Sequence, residues 1–246
     1  MKIGIIIQAR TGSQRLPKKI LKPFYGSDNI LDIQIKNLKQ LTLPIIIATT
    51  EKREDLEIVK IAKKHHLAYF AGSEHDVLSR FINAAKENKL THIIRICSDN
   101  PFLMIDFVKE IIDKSDINDD YTSHFINDEP SITTHWGIFC EFVSLNALLK
   151  IQALTTDPFY KEHVTNYIYS HPESFSIKRI KVNDTLTNTK HIRLTVDTKD
   201  DFLEMKKLYQ NYFNNFDRLK VESLVKIIDS DFIIKMKESI EKNSKK

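Results

Sequence analysis

The densest chemistry in this sequence lies near its start. Gln8-Ala9-Arg10-Thr11-Gly12-Ser13-Gln14-Arg15-Leu16-Pro17-Lys18-Lys19 sets four cations and one glycine directly after an isoleucine-rich run. Guanidinium and ammonium groups converging from one loop suit a phosphate, and Gly12 lets the backbone turn so that successive N–H groups face the same anion. The run fits neither G-x-x-x-x-G-K-[ST] nor G-x-G-x-x-G. On residue types alone, a phosphate loop and a basic surface loop are equally good readings. Further on, Ser98-Asp99-Asn100-Pro101 closes another β-branched run with an acidic residue. Asp99 can supply oxygen to Mg²⁺, which keeps several waters while it binds substrate phosphates. It can equally cap a helix beginning near Pro101, and taken alone that is the better reading.

Such residues need a rigid frame. Lys2–Ile7 and Pro44–Ala48 are unbroken apolar runs of the kind that form fully buried strands. Ala68–Phe70 and His92–Ile96 read as further strands, with helices expected over Ile30–Leu41, Glu54–His65 and the stretch carrying Val77, Leu78, Phe81, Ile82 and Ala85. Ser73 can cap the last of these, with Asp76 three residues on. Strands alternating with such helices imply βαβ units and a parallel sheet, whose ligands lie beyond the carboxyl ends of the strands. The polar clusters Gln8–Arg15, Thr49–Glu51, Gly72–Asp76 and Ser98–Asn100 all follow strands, so they are expected on one edge. From Tyr121 the pattern loosens, with strands expected at Gly137–Phe142, Ser176–Val182 and His191–Val196 and helices at Ser144–Ala153 and Lys161–Tyr169. Helices over Asp200–Phe213, Val221–Ile228 and Asp231–Ile240 complete a single domain over residues 1–246.

Composition narrows the function. With 37 basic against 33 acidic residues, the net charge of +4 is too small a fraction of all charges to favour a nucleic-acid partner. No stretch approaches the length of a membrane span. Cys97 and Cys140 fit no disulfide framework or zinc spacing, and no cleavage site follows the N-terminal run. The expectation is a cytoplasmic protein with no membrane contact.

The N-terminal loop, read as Ala9-Arg10-x-Gly12-Ser13-x-Arg15-Leu16-Pro17-x-Lys19-x-Leu21, closely resembles the signature A-R-x-G-S-x-R-L-P-G-K-x-L of the cytidylyltransferase family. That family includes the CMP-sialic acid and CMP-KDO synthetases and the SpsF-like polysaccharide-biosynthesis proteins. Lys18 stands where the family usually has Gly. The resemblance continues through Ala48-Thr49-Thr50, Gly72-Ser73-Glu74-x-Asp76-Val77-Leu78-x-Arg80, Arg95–Pro101 and Arg193-Leu194-Thr195-Val196-Asp197-Thr198, and is strongest with the SpsF-like branch. His135-Trp136-Gly137-Ile138-Phe139 is similar to the strand lining the sugar pocket of CMP-KDO synthetases, while Glu141 and Glu162-His163-Val164-Thr165 match the SpsF-like branch.

The resemblance implies a Rossmann-like, GT-A-type α/β fold: a mainly parallel sheet flanked by helices, with a small inserted acceptor and dimerisation subdomain over about 121–185. It implies CMP transfer from CTP to an acidic sugar or related small acceptor, with release of pyrophosphate, in surface glycan biosynthesis. Ala9, Arg10, Gly12, Ser13, Arg15 and Lys19 then hold the triphosphate, and Thr49 and Ser73 approach the nucleoside. Asp99 and Asp197 hold Mg²⁺, and Arg10, Lys19 and Asp99 act in catalysis. His135, Glu141 and His163 line the acceptor pocket, and the expected assembly is a homodimer. The alternatives are a GT-A glycosyltransferase using a nucleotide sugar, or a cytidylyltransferase with a phosphate or phosphonate acceptor.

Overall fold

A computed structural model describes residues 1–187 and 191–244 of the chain. In chain order its strands are β1 (Ile3–Gln8), β2 (Pro23–Tyr25), β3 (Asp28–Asn29), β4 (Ile45–Thr50), β5 (Ala68–Gly72), β6 (His92–Cys97), β7 (Tyr121–Ile126), β8 (Glu129–Pro130), β9 (Glu141–Ser144) and β10 (Ile177–Lys181). The helices are α1 (Ile30–Leu38), α2 (Leu56–Lys64), α3 (Val77–Glu87), α4 (Ile105–Lys114), α5 (Leu145–Leu154) and α6 (Pro158–Glu162). They continue as α7 (Asn166–Ser170), α8 (Asp184–Thr187), α9 (Lys199–Asn215), α10 (Val221–Ile227) and α11 (Ser230–Ser244).

The main sheet runs β10-β7-β9-β6-β1-β4-β5, with β8 added to β7. β5, β4, β1 and β6 are mutually parallel, whereas β9 lies antiparallel to both β6 and β7. The isoleucines of β1 explain its burial: Ile5 and Ile7 pack with α1, α2 and α4 on one face, and Ile6 packs with α3 and α5 on the other. A strand covered on both faces reads as a continuous apolar run. A third cluster joins Phe24, Ile138, Leu194 and Val196 to α9, α10 and α11.

From β1 the chain first pairs with β4 on one side and later with β6 on the other. This order reversal opens a crevice at the carboxyl ends of β1 and β6, where open α/β sheets bind ligands. The loop after each of these strands therefore faces the same space. Residues 121–185 are continuous with the sheet, since β7, β9 and β10 are three of its strands.

Several local expectations change. Asp76, not Ser73, caps α3 by accepting from Ser79 N at 2.8 Å; Ser73 Oγ instead accepts from Asp76 N one step earlier. The helix expected near Pro101 begins only at Ile105, behind Met104, so Asp99 does not cap it. The strand expected from Gly137 starts at Glu141, because Gly137 turns with φ +59°. The helix over Lys161–Tyr169 is split into α6 and α7 at Val164, whose φ is 30°. The His191–Val196 segment forms no strand, and His191 takes a left-handed backbone with φ 65°. Leu194 N donates to His135 O at 2.9 Å and Val196 N to Asp99 O at 3.0 Å, which ties it across the crevice instead.

Candidate active site

The loop after β1 is held from below. Thr11 N and Oγ1 both donate to Asp55 Oδ1, at 2.7 and 2.6 Å, while Thr50 Oγ1 donates to Oδ2 of the same buried carboxylate. Asp55 thus ties the loop to the end of β4. Sequence reasoning missed it; the signal was an acidic residue just before α2 that the structure uses for its side chain rather than as a cap. Inside the loop, Ser13 N and Lys18 N both donate to Thr11 O, at 2.9 and 3.0 Å. The Ser13 N–H is therefore spent within the loop and not in the expected backbone cradle. Gly12 has no left-handed backbone either; a Cβ there would sit 3.0 Å from Glu74 Oε1, so its use is room beside that carboxylate. Lys18 does take the left-handed region, at φ 57° and ψ 24°, which accounts for the glycine usual at this position.

Lys19 is the centre of the site. Its buried ammonium lies 2.6 Å from Val196 O, 3.0 Å from Asp99 Oδ2 and 3.2 Å from Asp197 Oδ1. Burial pulls its pKa down, but the two carboxylates outweigh burial and hold it above the ordinary lysine value. Asp197 is the more heavily committed carboxylate, with Arg15 Nη2 at 2.9 Å on Oδ1 and Arg193 Nη2 at 2.7 Å on Oδ2. Burial raises its pKa, yet Lys19, Arg15 and Arg193 together keep it below the ordinary aspartate value.

Two cavities open on this centre. One, of about 690 Å³, is lined by Ala9, Arg10, Gly12, Ser13, Arg15 and Lys19 with Glu74, Arg80, Asp99 and Asp197. The other, of about 370 Å³, is lined by Asn100, residues 131–135, Gly137, Phe139, Glu141 and Thr195. Cys97, Asp99, His163 and Asp197 line both, so the cavities meet at the two carboxylates. Arg10 reaches across the first to Glu162 at 3.1 Å.

The remaining expected residues divide. His135 and His163 line the second cavity, and burial holds both imidazoles below the ordinary histidine pKa, with Arg193 adding to the effect on His135 and Glu162 opposing it on His163. Glu141 also borders it but is 1% exposed, and its carboxylate is taken by Arg95, by Tyr121 OH at 2.6 Å and by Thr165 Oγ1 at 2.9 Å. It braces β6, β7 and β9 rather than offering a free oxygen to a ligand. Thr49 is fully buried inside the sheet and lines neither cavity, its position falling one residue short of the strand end. Ser73 is exposed beside the first cavity, while Glu74, His75 and Arg80 line it. Arg80 is 1% exposed, donates to Ser73 O and has a buried Nε without a partner. Burial, then the charge of Arg10, brings its pKa down to about 10. Burial likewise pushes the Cys97 thiol up to about 11, which suits a packed side chain and not a nucleophile.

Among the described residues no group of three or more His, Cys, Asp or Glu is placed to hold a metal ion. Asp99 and Asp197 both offer carboxylate oxygens to one point, that of the Lys19 ammonium, with Val196 O beside them. Such a pair fits a divalent cation that completes its sphere with phosphate oxygens and water.

The crevice at the carboxyl ends of β1 and β6 is thus lined by cations and opens onto a second, smaller cavity, the arrangement by which an open α/β sheet holds an anionic ligand. A family model described as cytidylyltransferase matches residues 4–220. The chain is 36% identical to the spore coat polysaccharide biosynthesis protein SpsF of Bacillus subtilis, covering 85% of this chain and 86% of that one. It is 38% identical to an uncharacterised protein of Methanocaldococcus jannaschii over 93% of this chain and 90% of the other. A solved cytidylyltransferase from Leptospira borgpetersenii superposes with a TM-score of 0.77 at 28% identity, covering 100% of this chain and 96% of its own. The chain belongs to the cytidylyltransferase family, and it is a CTP-using nucleotidyltransferase.

Proposed function

We propose that this enzyme transfers CMP from CTP to a hydroxyl of an acidic sugar, releasing pyrophosphate, in the biosynthesis of a surface glycan. The observation that carries this reading is the meeting, at Asp99 and Asp197, of a cation-lined cavity with one that no lysine or arginine lines among the described residues. CTP would lie in the first with its phosphates against Arg10, Arg15 and Lys19, and the acceptor in the second. The acceptor oxygen attacks the α-phosphorus, the bond to pyrophosphate breaks, and the hydroxyl proton leaves to solvent. Charge accumulating on the phosphate oxygens is met by preorganised cations, the largest source of catalysis in such transfers.

The pairing of Arg15 and Lys19 with Asp197 supports an exchange of partners. A triphosphate draws both cations onto its oxygens and leaves Asp99 and Asp197 able to hold Mg²⁺. When bound, that ion polarises the α-phosphate. Single-domain organisation over 1–246, a cytoplasmic setting and pairing of two copies through residues 121–185 belong to the same reading, and sedimentation equilibrium checks the last. The test of function is pyrophosphate release with CTP and Mg²⁺ over ulosonic acids, sugar phosphates and small phosphonates. Release with a ulosonic acid supports the reading. Release only with a phosphate or phosphonate reassigns the acceptor, and sugar transfer from a nucleotide sugar without pyrophosphate overturns it.

A further inference from the structure

His135 Nδ1 lies 2.9 Å from Arg193 Nη1. A guanidinium carries only donors, so Nδ1 must be the accepting nitrogen, and the proton of a neutral imidazole must then sit on Nε2. His135 lines the acceptor-side cavity, and among the described residues its Nε2 makes no hydrogen bond. Arg193 behind it is 2% exposed, and its guanidinium is clamped on its other edges. Nη2 reaches Asp197 at 2.7 Å, and Nε and Nη2 each reach Asp201 at 3.4 Å. Asp201 is itself fixed by the capping box of α9, accepting from Thr198 N at 2.9 Å and from Asp197 N at 3.1 Å. No lysine or arginine lines the acceptor-side cavity among the described residues. Arg193 therefore stands one side chain behind the cavity wall, where it polarises the His135 N–H without entering the cavity.

We propose that Arg193 is a positioning residue that fixes His135 as an Nε2–H donor for an oxygen of the acceptor while orienting Asp197 with the same guanidinium. The identity of the molecule in the cavity rests on the function proposed above; the Arg193–His135 linkage does not. One buried cation thus ties the group that meets the acceptor to a carboxylate of the wall between the two cavities. A planar fork with donors on three edges can do this, whereas a lysine ammonium cannot keep the same three directions.

The test is long-range ¹H–¹⁵N correlation on the full chain labelled with ¹⁵N-histidine at pH 7.5, with His135→Gln assigning the resonance. The expected native pattern is neutral imidazole protonated at Nε2. Arg193→Lys, if folded, should convert His135 to a mixture of tautomers while the His163 pattern stays as in the native protein. Protonation at Nδ1 in the native chain overturns the proposal, as does an unchanged His135 pattern in folded Arg193→Lys. If Arg193→Lys does not fold, the native spectrum alone decides. Pyrophosphate release is read separately, so failure of the acceptor assignment and failure of the linkage give different results.

Discussion

The two cavities share a wall of carboxylates but are built in opposite ways. The larger takes Arg10, Arg15 and Lys19, three of the four lysines and arginines in its described lining, from one contiguous loop, residues 8–19, braced at Thr11 by Asp55. The smaller is assembled from segments around residues 97–100, 131–141, 163 and 195–197, and among the described residues its lining holds no lysine or arginine. A triphosphate asks for concentrated charge, which a short run of chain can carry. A hydroxylated acceptor asks for directed donors, which can come from anywhere the fold brings together. The difference between a charge problem and a direction problem separates the regions.

The strongest way to break this picture is Asp99→Asn, at the shared wall. Turnover should fall by about 10²- to 10³-fold, since a carboxylate that would hold Mg²⁺ against the phosphates is lost. Its melting temperature should hold, because Asp99 is part-exposed and Lys19 keeps Asp197 and Val196 O. Near-native activity with Mg²⁺ would remove Asp99 from the chemistry. Glu141→Leu probes the other side. It strips Arg95 of its buried partner, and uncompensated buried charge costs about 3–5 kcal/mol. A urea midpoint that does not move would make Glu141 a ligand contact instead of a brace.

Smaller effects sharpen the contrast. Arg15→Ala should raise the KM for CTP by about 10- to 100-fold, as a charge-assisted contact of about 1.5–3 kcal/mol predicts. The acceptor KM should stay put, and a rise in it alone would place Arg15 on the wrong side of the wall. Last, Lys18→Gly relieves a left-handed lysine but adds freedom to the unfolded chain. The net should be a gain of about 0.5–1 kcal/mol with CTP kinetics unaltered. A destabilised variant would mean that the exposed Lys18–Glu57 contact matters more than backbone strain.

The sequence exposed the charge-built region far better than the direction-built one. β1 and β4 carry isoleucine runs of the kind a strand covered on both faces shows, and the cationic loop follows β1 directly. β7 was invisible for the converse reason: Thr122, Ser123 and His124 are fully buried within it, so its polar letters mimic a loop. α4 lacks a capping side chain at Met104, and the break at Val164 puts a β-branched residue where such residues rarely sit. Thr49 and Ser73 lie outside both cavity linings because a strand end and a helix cap each fall a few residues from where the sequence pattern puts them. Arg193 lay within a recognisable segment without a role, since only the folded chain brings it to His135.

Lys19 also sets a clock for biosynthesis. Its partners lie 80 and 178 residues downstream, at Asp99 and Asp197. Closing loops of that length is slow relative to local structure, and domains grow from the N-terminus on the ribosome. The cationic loop is therefore made long before the carboxylates that balance it. A chain that ends before Asp197 already holds Glu57, Asp99 and Glu162 for Lys18, Lys19 and Arg10 but lacks the carboxylate that Arg15 and Lys19 share, and with it one side of the wall where the cavities meet.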